Sequence, residues 1–148
     1  MVGLNVSRGV MRKILHGGLK SLTLKEAEEL PPDIKCEMDS GFMELMREAL
    51  KEHKDMGVSL TNFCEAQTAW DAAMASNAVK FLKANPDKVM VVLAGSVHAW
   101  RKGIPLHVSR RSDVPYVIIM PESLEANGIG VLTVQDADYA WRYDWGEP

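Results

Sequence analysis

Two continuous apolar runs in the second half of the chain constrain the fold more than any other feature. They cover residues 89–94 (VMVVLA) and 116–120 (YVIIM), and each ends at a glycine or a proline. Strands that are apolar on both faces are typical of a parallel sheet covered by helices. Between the runs, Pro105 can open a short helix that reaches Arg111, which predicts a right-handed βαβ unit. Residues 130–134 predict a weaker third strand.

The first half of the chain predicts the helices that would cover this sheet. Apolar side chains recur at helical spacing, and capping residues or prolines mark the ends. Thr23 and Glu26 have the spacing of a capping box, and Asn62 is the predicted N-cap of the longest helix. The predicted helices run from Arg8 to the glycines at 17 and 18, from Thr23 to Leu30, over residues 42–53 and over residues 63–84. The sequence therefore predicts an α/β fold, a helix-rich three-layer domain around a mostly parallel sheet.

The C-terminal residues predict one further strand with an aromatic face. Tyr139, Trp141, Tyr143 and Trp145 alternate with polar or small residues at the period of a strand. Packing against helices of the same domain is the favoured interpretation, and a partner or a flat ligand are the alternatives.

Length and composition exclude several classes of protein. The 148 residues correspond to about one domain, and the formal charge of −3 is unfavourable for general nucleic-acid binding. No apolar run is long enough for a membrane span, and no leader pattern precedes the first helix. Two cysteines fit neither a disulfide-rich scaffold nor a four-cysteine zinc site, so Cys36 and Cys64 are predicted to be small buried hydrophobic residues. Motifs of P-loop ATPases, dinucleotide-binding folds, zincins and serine hydrolases are absent from the sequence.

The segment Gly95-Ser96-Val97-His98 is the strongest site candidate. It follows the first apolar run, and ligands of open α/β sheets bind where parallel strands end. His98 could ligate a metal or act as a general base there. The alternative, which the sequence alone favours, is a histidine that pins the loop through a hydrogen bond to a carbonyl group.

Two further groups of residues could contribute to the same site. A basic cluster could bind the carboxylates or phosphates of a small ligand, although a solvated turn is the alternative. Gln67 and Asp71 share one face of the longest helix, beside Trp70, and would face either a polar crevice or solvent. His16 and His53 are interpreted as histidines at the edge of the core, and the helical methionines as core residues. The basic cluster comprises Arg101, Lys102, His107, Arg110 and Arg111.

Three segments resemble the ChaN-like haem-binding family of bacteria, which is similar to the wider Tiki/TraB and erythromycin-esterase group. They are residues 66–75 (AQTAWDAAMA), 91–98 (VVLAGSVH) and 103–105 (GIP), and the upstream residues 30–34 (LPPDI) follow the family in order. Val97 stands where the family has glycine, and nothing here matches the G-E-x-H-like segment with which family members begin. The resemblance therefore implies that residues 1–148 form the C-terminal portion of one ChaN-like domain, incomplete at its N-terminus.

This resemblance implies a non-catalytic protein that binds haem in iron uptake at the bacterial envelope, either periplasmic or lipid-anchored. The implied partner is haem or a small anionic ligand, and apolar surface left by the missing segment predicts a homodimer. Any tyrosine or histidine could be the axial ligand. The alternatives are a metal-dependent hydrolase in which His98 binds a divalent metal, or an interaction module without a working site. The candidate ligand-binding residues are Gly95, Ser96, His98, Gln67, Asp71, Arg101, Arg110, Arg111, Tyr139 and Tyr143.

Overall fold

The computed structural model describes residues 1–36, 40–51, 57–121 and 132–141. About half of the chain is helical, and a small parallel sheet makes the fold α/β. The prediction of three layers around a larger sheet stays a prediction. In chain order the elements are α1 (Arg8–Gly17), a 3-10 turn (Leu19–Ser21), α2 (Leu24–Ala27), α3 (Ser40–Lys51), α4 (Leu60–Ala84), α5 (Ser96–Ala99), α6 (Ile104–Ser109), β1 (Ile119–Pro121) and β2 (Tyr139–Trp141).

Helix α4 is the centre of the fold, and α1, α3 and α6 pack against it. Its many buried alanines let these neighbours approach closely. The helix begins one turn earlier than predicted, because Ser59 rather than Asn62 is the N-cap and accepts a hydrogen bond from the Asn62 backbone N–H. It ends before Pro86, as predicted, with Asn85 as the C-cap.

The two N-terminal helices confirm the local signals in the sequence. Helix α1 ends at Gly17, and its C-cap is Gly18, whose φ of 74° suits glycine and whose N–H donates to the Ile14 carbonyl. Glu65 of α4 then accepts a hydrogen bond of 2.7 Å from the Leu19 backbone N–H, which fixes the turn against α4. The capping box of Thr23 and Glu26 is present, although α2 ends at Ala27 rather than Leu30.

Strand β1 pairs with β2 in parallel, with Ile119 opposite Tyr139 and Pro121 opposite Trp141. Ile118 and Met120 are buried in the core with residues of α3 and α4. The run at 116–120 therefore contributes a strand, but a shorter one than predicted. Residues 132–134 form no strand, and residues 130 and 131 lie outside the described residues.

The predicted strand over residues 89–94 is wrong. This segment is not in a strand, and Val89 and Leu93 are 94% and 92% exposed. An apolar run favours burial, but it becomes a strand only if a neighbouring strand is present to pair with it. In the described residues β1 pairs with β2 and not with residues 89–94. The aromatic face predicted for the C-terminal strand is not buried either. Tyr139 and Trp141 lie on β2 but are exposed, so the domain's own helices do not bury them. Tyr143 and Trp145 lie outside the described residues.

The prediction for the cysteines is also wrong, because Cys36 and Cys64 form a disulfide with a Cα–Cα distance of 5.7 Å. It ties the segment after α2 to the first turns of α4. Cysteines 28 residues apart show no recognisable pairing pattern, and only the fold brings them together.

Candidate functional site

His98 lies on α5, a single helical turn whose N-cap is Gly95. The backbone N–H groups of His98 and Ala99 donate to the Gly95 carbonyl at 3.0 and 2.9 Å. Gly103 packs directly on this turn, because a Cβ at that position would lie only 2.4 Å from the His98 carbonyl oxygen. Glycine at 103 thus allows the close approach that fixes the position of His98. Val97 has a helical backbone, so the glycine typical of the family is not required there.

Asp71 of α4 holds the His98 imidazole, and Gln67 lies against the same edge of the ring. His98 Nδ1 lies 2.6 Å from Asp71 Oδ1, and Gln67 Nε2 lies 3.0 Å from the same ring nitrogen. Asp71 is 2% exposed and Gln67 is buried, whereas the His98 side chain is 20% exposed. The structure therefore brings together three of the candidate residues. Gln67 and Asp71 lie four residues apart on α4, and His98 lies on α5.

Burial raises the pKa of Asp71 from 3.8 to about 6, and the hydrogen bond and charge of His98 oppose this rise. Above that pH the carboxylate accepts the proton of His98 Nδ1, which fixes the imidazole tautomer and its orientation. A carboxylate in this position is a common support for a histidine that binds a metal through Nε2. It also serves to lock a histidine in place without any metal.

Trp70 contacts the other side of this histidine. The two rings meet edge to face, with centroids 5.3 Å apart and planes at 80°. The indole Nε1 is buried and has no hydrogen-bond partner among the described residues. Trp70 thus contacts His98 and also lines a larger crevice.

That crevice, which we call the α1 crevice, has a volume of about 590 Å³ and lies between α1 and Trp70. Cofactor and small-molecule sites usually have volumes of about 300–1,000 Å³. Arg8, Arg12 and His16 lie four residues apart along α1, and none of their side chains forms a hydrogen bond or an ion pair with a described residue. The lining residues are Asn5, Val6, Arg8, Met11, Arg12, Leu15, His16 and Trp70.

Sequence reasoning missed the α1 crevice and placed His16 at the edge of the core. His16 is exposed in the structure. The signal that could have found it is the i, i+4, i+8 spacing of Arg8, Arg12 and His16, which puts two guanidiniums and an imidazole on one helix face. His53, the other histidine assigned to the core edge, lies outside the described residues.

The structure divides the basic cluster. Arg101 donates to Asp138 across 2.6 Å, and Arg111 is paired with Asp33. The hydrogen bond from Arg101 holds the pKa of Asp138 below its usual range, helped by the Ile118 backbone N–H. These two arginines therefore join loops to one another, whereas Arg110 lines a different, smaller crevice.

The two candidate tyrosines have no described contact with His98. Tyr139 is exposed on β2, and Tyr143 is outside the described residues. Across the described ranges, no three histidine, cysteine or acidic side chains come together as a group that could hold a metal ion. His98 as a metal ligand therefore stays a prediction.

The fold and these crevices define a small helix-rich α/β protein with a ligand-sized crevice beside a buried Asp–His pair. Residues 1–108 match the family described as "Haem-binding uptake, Tiki superfamily, ChaN", and the chain belongs to this family. Searches of curated proteins and of solved structures returned no significant match. Among the helices of the described residues, none combines the length and apolarity needed to cross a membrane.

Proposed function

We propose that this protein binds haem in the α1 crevice, as cargo in bacterial haem uptake. The observation that carries the proposal is the lining of this crevice, which combines apolar side chains, two arginines and an exposed histidine in a member of a haem-binding uptake family. The reaction is binding and release, without catalysis.

The residues present fit the chemistry of haem. Haem is flat and apolar, carries two carboxylates at one edge and takes axial ligands from histidine, tyrosine, cysteine or methionine. Met11, Leu15 and Trp70 supply apolar contacts for the macrocycle. Arg8 and Arg12 supply charge-assisted hydrogen bonds for the two carboxylates. His16, four residues beyond Arg12, supplies the imidazole that would hold the iron.

In this proposal His98 is a positioning residue rather than the iron ligand, although the sequence left every histidine and tyrosine open for that role. Its ring is mostly covered, with Asp71 and Gln67 at one edge and Trp70 against it. The Asp71–His98 pair would therefore hold Trp70 in place as one wall of the α1 crevice.

The disulfide supports an extracytoplasmic location for this function. Disulfides persist in oxidising compartments such as the bacterial periplasm and are rare in the cytosol. The Cys36–Cys64 bond, whose Cys64 is fully buried, is what a protein of the bacterial envelope would contain.

The test is a haem titration followed by the Soret band. Wild-type protein is expected to give a saturable band shift, His16→Ala to lose the ligated spectrum, and His98→Ala to keep that spectrum with a lower affinity. The double variant R8Q/R12Q should weaken haem binding about tenfold, while haem dimethyl ester should bind both proteins equally.

Arg47→Gln, an exposed arginine on α3, is the matched control and should bind haem like the wild type. Loss of the ligated spectrum in His98→Ala but not in His16→Ala would assign the iron to His98 and overturn the proposed site. A wild-type protein without any saturable Soret shift would overturn the proposed function itself.

A further inference from the structure

Residues 89–94 form an apolar segment that lies on the surface of the protein. Val89 and Leu93 are almost fully exposed, and Val91 and Val92 are exposed as well. Single exposed apolar side chains are ordinary on a protein surface, whereas a contiguous group of them marks an interaction site. We call residues 89–94 the apolar segment.

The backbone of the apolar segment is also unpaired. None of its N–H or carbonyl groups forms a hydrogen bond with another described residue. Such groups beside apolar side chains are what an open sheet edge offers to another strand. Proteins protect these edges with charged residues or prolines, and residues 89–94 contain neither. Its three valines favour a strand, so the segment has the chemistry of a strand that lacks a neighbour.

The small sheet extends this apolar surface. Val97, which follows the apolar segment on α5, packs against the core cluster that contains Ile118. The C-terminal end of the segment therefore lies near β1. Around β1, Val117 and Ile119 are exposed, and so is Tyr139 on β2.

The size of this surface fits a second copy of the chain. Its exposed side chains amount to about 600 Å², if an aliphatic side chain contributes about 100 Å² and an aromatic one about 200 Å² when fully exposed. Paired backbone adds to this area, and stable interfaces bury about 800 Å² per partner. The side chains counted are Val89, Val91, Val92, Leu93, Val117, Ile119 and Tyr139.

The apolar segment is complementary to itself. In an antiparallel pair with its two-fold axis between Val91 and Val92, Val91 of each copy lies opposite Val92 of the other. Every position of the segment then meets an apolar side chain. Lys88 of one copy lies at the opposite end of the pair from Lys88 of the other, so like charges do not meet. The outer pairs are Met90 with Leu93 and Val89 with Ala94.

We propose that the apolar segments of two copies of this chain pair as antiparallel strands and form a homodimer. A partner of different sequence would need a matching apolar strand, which a second copy already carries. The sequence predicted a homodimer without locating its interface, and this segment supplies one. The interface contains no lining residue of the α1 crevice, so the inference does not depend on haem binding.

The experiment is sedimentation velocity of the haem-free chain from micromolar to millimolar concentration. Wild type should pass from monomer to dimer, and hydrogen exchange at residues 89–94 should slow as the dimer forms. Leu93→Lys should weaken dimerisation at least about a hundredfold, because each dimer buries two leucines at this position. Leu24→Lys is the matched control, since Leu24 on α2 is as exposed as Leu93, and it should dimerise like the wild type.

Two further variants test the register. Val91→Lys and Val92→Glu should each be monomeric alone. An equimolar mixture should form heterodimers, because the introduced lysine of one copy lies opposite the introduced glutamate of the other. The variant R8Q/R12Q, which alters only the α1 crevice, should dimerise like the wild type, so failure of the haem proposal leaves this result intact.

Wild type that stays monomeric at millimolar concentration would overturn the proposal, as would equal dimerisation of wild type and Leu93→Lys. A mixture of Val91→Lys and Val92→Glu that stays monomeric would overturn the antiparallel register. Assemblies that grow beyond the dimer would contradict a closed two-fold pair. Slow exchange at residues 89–94 in the monomer, with a lowered melting temperature for Leu93→Lys, would show that the chain itself buries the segment and would also overturn the proposal.

Discussion

Replacing Asp71 by asparagine should remove a specific dependence of folding stability on pH. Burial raises the pKa of Asp71 to about 6 in the folded protein, against 3.8 for an exposed aspartate. Between these values the folded state keeps a proton that the unfolded state has lost. The stabilisation from this proton is fully present below pH 3.8 and is lost as pH rises through about 6. The two pKa values correspond to a change of about 3 kcal/mol in the free energy of unfolding.

The assay is urea unfolding at pH 3.5 and pH 7.5, followed by circular dichroism with the disulfide intact. Asparagine does not titrate, so the stability of Asp71→Asn relative to the wild type should rise by about 3 kcal/mol from the lower to the higher pH. Groups that do not interact with Asp71 titrate alike in both proteins and cancel in this difference, and the variant pair His98→Ala and His98→Ala/Asp71→Asn removes the contribution of His98, which does interact with it. Asp87→Asn, which replaces an exposed aspartate, is the control and should show the pH dependence of the wild type.

Removal of His98 gives an independent check on the same reasoning. The hydrogen bond and charge of His98 lower the pKa of Asp71, so His98→Ala should raise that pKa further, measurable by NMR of the carboxyl carbon. A stability difference between wild type and Asp71→Asn that is constant with pH, or that falls towards pH 7.5, would refute the account of Asp71 as a buried, destabilised carboxylate.

Three further predictions follow from the packing. The double variant Cys36→Ser/Cys64→Ser should lose about 4 kcal/mol of stability, because the disulfide closes a loop between residues 28 positions apart. Urea unfolding curves of the wild type that superimpose with and without reductant would contradict this. Ile118→Ala should lose about 2–5 kcal/mol, since Ile118 is buried, and a measured loss below about 1 kcal/mol would place it at an exposed edge. Gly103→Ala should destabilise the fold by more than about 1 kcal/mol and shift the His98 ring resonances, because its Cβ would collide with the His98 carbonyl; unchanged resonances would show that α5 does not depend on this contact.

The features that the sequence predicted correctly are local ones. The capping box at Thr23, the C-cap of α1 at Gly18 and the start of α6 around Pro105 each depend on residues within one helical turn. Such signals act before any tertiary contact forms, so they can be recognised without knowledge of the fold.

The features that were missed depend on contacts between segments that are distant in the sequence. The run at 89–94 is apolar enough for a buried strand, yet no described strand pairs with it. The disulfide forms because α4 passes close to Cys36. The separation of the two cysteines in the sequence does not reveal this contact.

The candidate site was recoverable only in part, for the same reason. The helical spacing places Gln67 and Asp71 on one face, but their meeting with His98 depends on the tight packing of α5 at Gly103. The α1 crevice was missed because His16 was assigned to an apolar helix face, while the structure exposes it beside Trp70.

The central claim is that haem occupies the α1 crevice, and paramagnetic NMR tests it most directly. Amide spectra of ¹⁵N-labelled protein would be compared after loading with ferric haem and with diamagnetic zinc protoporphyrin, so that only the effect of the unpaired electrons on nearby nuclei remains. We expect line broadening that is strongest for residues 11–16 and around Trp70, and weaker at His98, which is not among the lining residues of this crevice. Broadening centred on residues 95–98 instead, with α1 unaffected, would contradict the claim.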